Sequence, residues 1–557
     1  MKAKLSPLTK AVSTALLPFM AAGAMQAQAF EIGESQWSGY VRQHIGWNMD
    51  NTKDSIGTQD LASKSNGGEL NMLRTTLLLQ GKGYIGDVAW TLIGRTSQEK
   101  HTSFLRDLDS ATANGPFPLV GASIDLTDQY EEDNQLREAY IDFETGRISW
   151  RLGKQQVIWG ETDVFHPNDV IHGFDFTWHS LFEPENEELR KPLWMINATV
   201  DMSEELGGAL QLIYRPGWDK KNAIGNTYDF QGGRWGQNGA RGADFTGLVP
   251  IDFDHPDGEY DDANYGFRWE GTIGENDDYS YSFSYYKGLA LDPVIVGVMP
   301  GEGQSTTVTS NNYTVINAPI ADVFAYQMIE TFGASLSGYI ESLDAVFRAE
   351  ISHTPNRWYG DLNTAGATAD LFNTNYGIIE EHDVTTLTFG YDTNARLSNI
   401  LGTSTPSLLS LQVFGTHIHG YDRKTKNICK TAAPFTPVAG GAGCGNGGDS
   451  LVNAFGGIHE EQTWYGTVKF LLPYMNDTLT FDLTALWDFS DGGTMFLPSV
   501  EKQIGAHWRL RLEGNFFYGG NKGDAFNNSS QDTSNGMSVI GSFENADQLI
   551  ARITYQF

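Results

Sequence analysis

RISWRLGKQQVIWGETDVFHPNDVIHGFDFTWHSLFEPENEELRKPLW, residues 147–194, joins two kinds of sequence. From Arg147 to Gly153 the residues alternate. Ile148, Trp150 and Leu152 fall on one face, and Arg147, Ser149, Arg151 and Gly153 on the other, the period of 2 that marks a strand. Past Trp159 the alternation stops. Carboxylates run from Glu161 to Glu188 before the first cation at Arg190, with His166, His172, His179 and several aromatics among them. Pro167 and Pro184 would each remove a ladder donor from a central strand. The expectation is a strand over 147–158, then a long structured loop from Trp159 to Lys191.

Outward from this stretch the alternation recurs. Tyr265, Phe267 and Trp269 oppose Gly266, Arg268 and Glu270, and Tyr279, Tyr281, Phe283 and Tyr285 oppose Ser280, Ser282 and Ser284. Eighteen candidate strands run from 37–47 to 547–557, and sixteen remain if 407–419 or 493–502 is misread. Their connections alternate between short (Ile85-Gly86, Thr145-Gly146) and long, except for a short link at Ser490 to Gly492 where a long one is due. Aromatics on one face and bare serines and charges on the other leave an apolar surface that only lipid would cover. The fold class expected is all-β, a transmembrane antiparallel β-barrel with long outer loops, one of them folded into the lumen.

The ends agree with export. Lys2, Lys4 and Lys10 precede an apolar stretch from Ala11 to Ala24 and an Ala27-Gln28-Ala29 cleavage site, so 1–29 reads as a signal peptide and 30–557 as the barrel. The last strand carries Leu549, Ala551, Ile553, Tyr555 and Phe557 on one face. It resembles the recognition strand of outer-membrane barrels, which makes Tyr555 and Phe557 the assembly signal.

Charge excludes one class of partner. Lys+Arg 37 against Asp+Glu 69 gives −32, a field that repels nucleic acid. Cys429 and Cys444 share one outer loop and are expected to pair in an oxidising compartment. No catalytic constellation stands out, and neither metal nor cofactor is expected. His459-Glu460-Glu461 opens like a zinc-protease helix but has Thr463 where the second histidine belongs. A dispersed Ser/His pair of a barrel-embedded lipid hydrolase stays open as an alternative.

GKQQVIWGETDVFHPNDVI followed by ELRKPLW resembles the hallmark of a proteobacterial outer-membrane family known as domain of unknown function 1302. The resemblance is strong over Gln135 to Trp194. It implies a barrel in the outer membrane of a Gram-negative bacterium and a role in moving hydrophobic compounds. Expected partners are outer-membrane lipid and lipopolysaccharide, the barrel-assembly machinery, and periplasmic or inner-membrane transport components.

A barrel of this size encloses a lumen, so the expected function is a channel for hydrophobic or amphipathic small molecules. A general porin for small polar solutes and an adhesin or scaffold are the alternatives. Glu161, Asp163, Phe165, His166, Asp169, His172, Phe174, Asp175, Phe176 and Trp178 are the candidate constriction. Arg147, Arg151, Arg509, Arg511 and Arg552 are the candidate lumen wall that its acids would face.

Overall fold

The computed structural model describes residues 30–51, 66–114, 130–179, 186–202, 207–216, 225–228, 233–235, 263–274, 278–295, 327–361, 378–421, 459–519 and 540–557, except 33, 163, 293, 491 and 544–545, with short pieces at 299–325 and 451–452. The expectations for 1–29, Asp163, Cys429 and Cys444 fall outside the described residues.

Eighteen antiparallel strands close into a barrel. They are β1 (Ser35–Asn48), β2 (Leu70–Ile85), β3 (Val88–Glu99), β4 (Glu132–Thr145), β5 (Ile148–Gln155) and β6 (Leu193–Asp201). Then come β7 (Ala209–Arg215), β8 (Asn264–Ile273), β9 (Tyr279–Leu289), β10 (Met328–Ile340), β11 (Ala345–Asp361) and β12 (Ile378–Ala395). The last six are β13 (Ser407–Ile418), β14 (Gln462–Tyr474), β15 (Leu479–Asp488), β16 (Thr494–Ile504), β17 (Trp508–Tyr518) and β18 (Gln548–Gln556). Each pairs with its neighbours in sequence, and β18 pairs with β1 from Tyr40↔Gln556 to Asn48↔Gln548. Phe557 and Gly39 complete the seam by exchanging two backbone hydrogen bonds of 2.9 Å. Closure leaves no open edge, so the spanning backbone is paired strand to strand around the sheet apart from local register shifts.

The two faces divide by alternation. Phe283 (57% exposed) and Phe389 (55%) stand outward with Leu387, Leu512 and Trp508, while Arg42, His44, Ser282, Glu350, Gln412 and Glu513 are buried on the inward face. Among the described residues no helix is long and apolar enough to cross a membrane; the strands do so.

Two expectations near the opening stretch need correction. Arg147 lies exposed in the turn between β4 and β5 rather than on the lumen wall; Gly146, at φ +66°, takes the left-handed conformation this tight turn needs. The strand expected over 147–158 ends at Gln155, so the loop leaves the sheet early. Gly153 prepares the departure: at φ +135°, a Cβ there would stand 2.2 Å from the Ala139 carbonyl oxygen of β4. Both strands on which the count of eighteen or sixteen turns, β13 and β16, are present.

Candidate functional site: the inward loop and its wall

The loop from 156 to 192 is tied first to itself. Val157 N–H donates to His172 Nε2 at 2.9 Å, which leaves the ring proton on Nδ1, where it meets the Lys191 carbonyl oxygen at 2.9 Å. One buried imidazole thus joins the loop's exit from β5 to its return into β6. Burial pushes His172 down from 6.5 to about 3, so the ring is neutral. Arg190 Nη2 donates to Asp169 Oδ2 at 2.5 Å, both side chains being 3% exposed. A small sheet-like patch adds rigidity: Asp175 N–H donates to Leu189 O, Phe176 N–H to Thr227 O, Thr227 N–H to Phe174 O and Lys191 N–H to Gly173 O. Burial draws Lys191 down to about 8, and its ammonium bonds the Thr227 hydroxyl at 2.7 Å.

Toward β8–β13 the loop is held through its backbone. Glu350 Oε1 accepts from the N–H groups of Glu161 (2.6 Å) and Thr162 (2.7 Å) and from the Thr162 hydroxyl (2.9 Å), while Oε2 accepts from Asn168 N–H at 3.3 Å. Gln412 accepts from Val164 and Phe165 N–H and donates to Phe165 O. The Glu161 carboxylate accepts from Arg268 and Ser335, each at 2.7 Å. Arg268, Ser335, Glu350, Gln412 and, on the other side, Glu513 each stand five residues from the short-turn end of their strands. The loop rests on these polar wall groups.

Toward β17–β4 the contacts are ionic and aromatic. Glu188 Oε1 accepts from Arg42 at 2.7 Å and from the Tyr40 hydroxyl at 2.6 Å. Arg137 donates to the carbonyls of Glu187 and Arg190, and Arg95 to that of Glu188. A register shift against β3 between Ile93 and Gly94 makes Arg137 the extra residue of β4 and lets it reach inward. Trp178 lies under the guanidinium groups of Arg74 (4.9 Å) and Arg95 (5.7 Å), edge-on to His44. His179 Nε2 is 3.0 Å from Glu513 Oε1, and Glu513 Oε2 accepts from Arg552 at 2.6 Å. A segment of the next long connection joins in: Arg234 forms a bidentate pair with Glu99, and Trp235 Nε1 donates to Trp178 O.

The candidate residues therefore separate. Phe165 stacks on Phe414 of β13 at 4.6 Å. Phe174, Phe176 and Tyr228 form a half-buried ladder, with ring centroids 5.8 and 5.6 Å apart and the Arg190 guanidinium 5.1 Å from the first ring. His166 is half-buried, and its backbone carbonyl accepts from Asp169 N–H. Asp175 accepts from the Thr177 hydroxyl and N–H. The expected meeting of loop acids with Arg509, Arg511 and Arg552 does not occur among the described residues. Glu161 meets Arg268 on another part of the wall, and Asp169 meets Arg190 within the loop. Arg509, 45% exposed, bonds Glu501 and Gln556, Arg511 bonds Ser499, and Arg151 pairs with Asp142. Gln412, Arg42, Arg137 and Arg190 are anchors that the sequence pattern does not single out, and Glu350 is legible there only as one lumen-facing acid by parity. Glu188 and Arg190 lie within the charged ELRKPLW run, which was their one signal.

Among solved structures, the chain resembles the outer membrane protein OpdK of Pseudomonas aeruginosa, at 11% identity over 95% of this chain and 100% of that one, TM-score 0.42. It also resembles OccAB1 of Acinetobacter baumannii, at 10% identity over 96% and 98%, TM-score 0.42, and an anion-selective porin of Comamonas acidovorans, at 9% over 94% and 99%, TM-score 0.34. No curated protein matches the sequence. A family model described as "Protein of unknown function (DUF1302)" matches residues 9–557, and the chain belongs to that family.

Proposed function

We propose that this barrel is a channel of a Gram-negative outer membrane, narrowed by the loop 156–192 and selective for hydrophobic or amphipathic small molecules. The observation that carries the reading is the loop's attachment to wall residues on both sides of the lumen, through Glu350 and Gln412 on one side and Arg42 and Glu513 on the other. A loop held in this way sets the width of the passage. Phe174, Phe176 and Tyr228 support the choice of cargo: three stacked, half-buried rings beside Arg190 offer apolar area with one cation at its end, a fit for an apolar body with a polar or anionic tip. Entry of a fluorescent fatty acid and of a small sugar into proteoliposomes tests this. The triple variant Phe174→Ala, Phe176→Ala, Tyr228→Ala should slow the fatty acid several-fold and leave the sugar unchanged. Sugar entry faster than fatty-acid entry in the unaltered protein would favour a general porin instead.

A further inference from the structure

The outward face of β9–β14 carries a feature that passage through the lumen does not use. Successive strands place Phe283, Ala334, Ile351, Leu387, Gly415 and Trp464 in one register row, and Tyr281, Leu336, Ala349, Phe389 and Val413 in the row on the short-turn side. Ala334 and Ala349 are short where their neighbours are large, so the sheet is hollowed there. The groove measures about 810 Å³ and is lined by these side chains, with Ile273 at one end and Trp464 at the other. Its walls are almost wholly apolar.

The next row toward the long loops changes character abruptly. It reads Tyr285, Phe332, His353, Thr385, His417 and Gln462. His353 Nδ1 and His419 Nε2 both meet the Thr385 hydroxyl, at 3.0 and 2.8 Å, and the rings of His417 and His419 lie 4.4 Å apart. Glu461 Oε1 is 3.9 Å from His417 Nδ1, a nitrogen without a hydrogen-bond partner among the described residues. Trp464 joins the two zones, its indole N–H donating to Gln462 at 3.3 Å. Among the described residues no group of His, Cys, Asp and Glu is arranged to hold a metal ion. An apolar furrow at membrane depth, ending under a cluster of imidazoles at the membrane rim, has the division of a lipid: a chain, then a head that accepts hydrogen bonds and carries negative charge.

We infer that this face holds one phosphate-bearing lipid of the surrounding leaflet, with an acyl chain over Ala334 and Ala349 and its phosphate against His353, His417 and His419. The chain gains contact with Phe283, Leu336, Ile351 and Phe389 that a flat barrel wall would not give, since packing rewards only surfaces that approach closely. The imidazoles supply donors and, when protonated, charge that a neutral headgroup would not use.

Native mass spectrometry of the full-length detergent-solubilised protein tests this with phosphatidic acid and with a diacylglycerol of the same chains. The unaltered protein should retain phosphatidic acid several-fold more than diacylglycerol. Ala334→Phe with Ala349→Phe, which fills the groove with an apolar group that the membrane tolerates, should abolish retention of both. His353→Gln with His417→Gln and His419→Gln should lower phosphatidic acid to the diacylglycerol level and leave diacylglycerol unchanged. Heat-modifiable gel mobility verifies that each variant is folded. Equal retention of the two lipids by all three proteins would overturn the inference. So would an oligomer of this chain that the Ala→Phe pair disperses, since the groove would then seat a second barrel.

Discussion

The two sides of the inward loop are held by different chemistry. Toward β8–β13 its peptide groups converge on two wall side chains, Glu350 and Gln412. Toward β17–β4 its side chains and carbonyls spread over Tyr40, Arg42, Arg95, Arg137 and Glu513. The first arrangement gathers three backbone donors on one carboxylate, Glu350, and they lose their acceptor together if it goes. The second is distributed, so each contact can fail while its neighbours remain. A loop built this way should be easy to release from one side and hard to release from the other.

The sharpest break in that contrast is Glu350→Ala. Removing one partner from a buried, charge-assisted set costs about 3 kcal/mol or more, so opening of the Glu161–Asp169 segment should become ~100-fold more frequent. Hydrogen exchange in that segment would show it, while exchange in β11 and β12 stays slow. Unchanged exchange would mean that Glu350 does not hold the loop.

Acid is the next largest perturbation. His172 is held near 3 in the seated loop against 6.5 when released, so the released loop binds the extra proton. The seated state is fully favoured above about pH 6.5 and loses about 1.4 kcal/mol per pH unit as the pH falls toward 3. Protonation also puts an N–H against the Val157 N–H that Nε2 now accepts from. Conductance noise or proteolysis of the loop should rise below pH 6 and lose its acid dependence in His172→Gln. The same acid response in that variant would assign the effect elsewhere.

Arg42→Gln probes the distributed side, and about 1.5 kcal/mol is expected, since the Tyr40 hydroxyl still donates to Glu188. Exchange of the 186–190 segment should quicken modestly, leaving 161–169 unchanged. A loss as large as that for Glu350→Ala would erase the contrast. Smallest of all should be Arg509→Ala. That guanidinium is 45% exposed, where ion pairs contribute about 0 to 1 kcal/mol, and neither loop exchange nor melting should change measurably.

The barrel was legible because alternation is local. Tyr279, Tyr281, Phe283 and Tyr285 declare an outward face without reference to the rest of the chain, and the short and long links set strand order. The loop's partners were not legible for the opposite reason. Glu350 reads as one lumen acid among several, and only closure of the ring puts it beneath the N–H groups of Glu161, Thr162 and Asn168. Pairing by charge alone sent the loop acids to Arg509, Arg511 and Arg552. The geometry gives Glu161 to Arg268 and Asp169 to Arg190. His172 shows the same limit, since its two ring bonds go to backbone groups, at Val157 and Lys191, that no side-chain pattern announces.

Single-channel conductance in planar bilayers reads out whether the loop narrows the passage. Deleting residues 165–182 while keeping β5 and β6 removes Phe165, Asp169, His172 and Trp178 from the lumen. The deletion protein, shown to be folded by heat-modifiable mobility, should conduct several-fold more than the unaltered barrel and distinguish less between fatty acid and sugar. Equal conductance and equal selectivity in the two proteins would mean that the loop does not narrow the lumen.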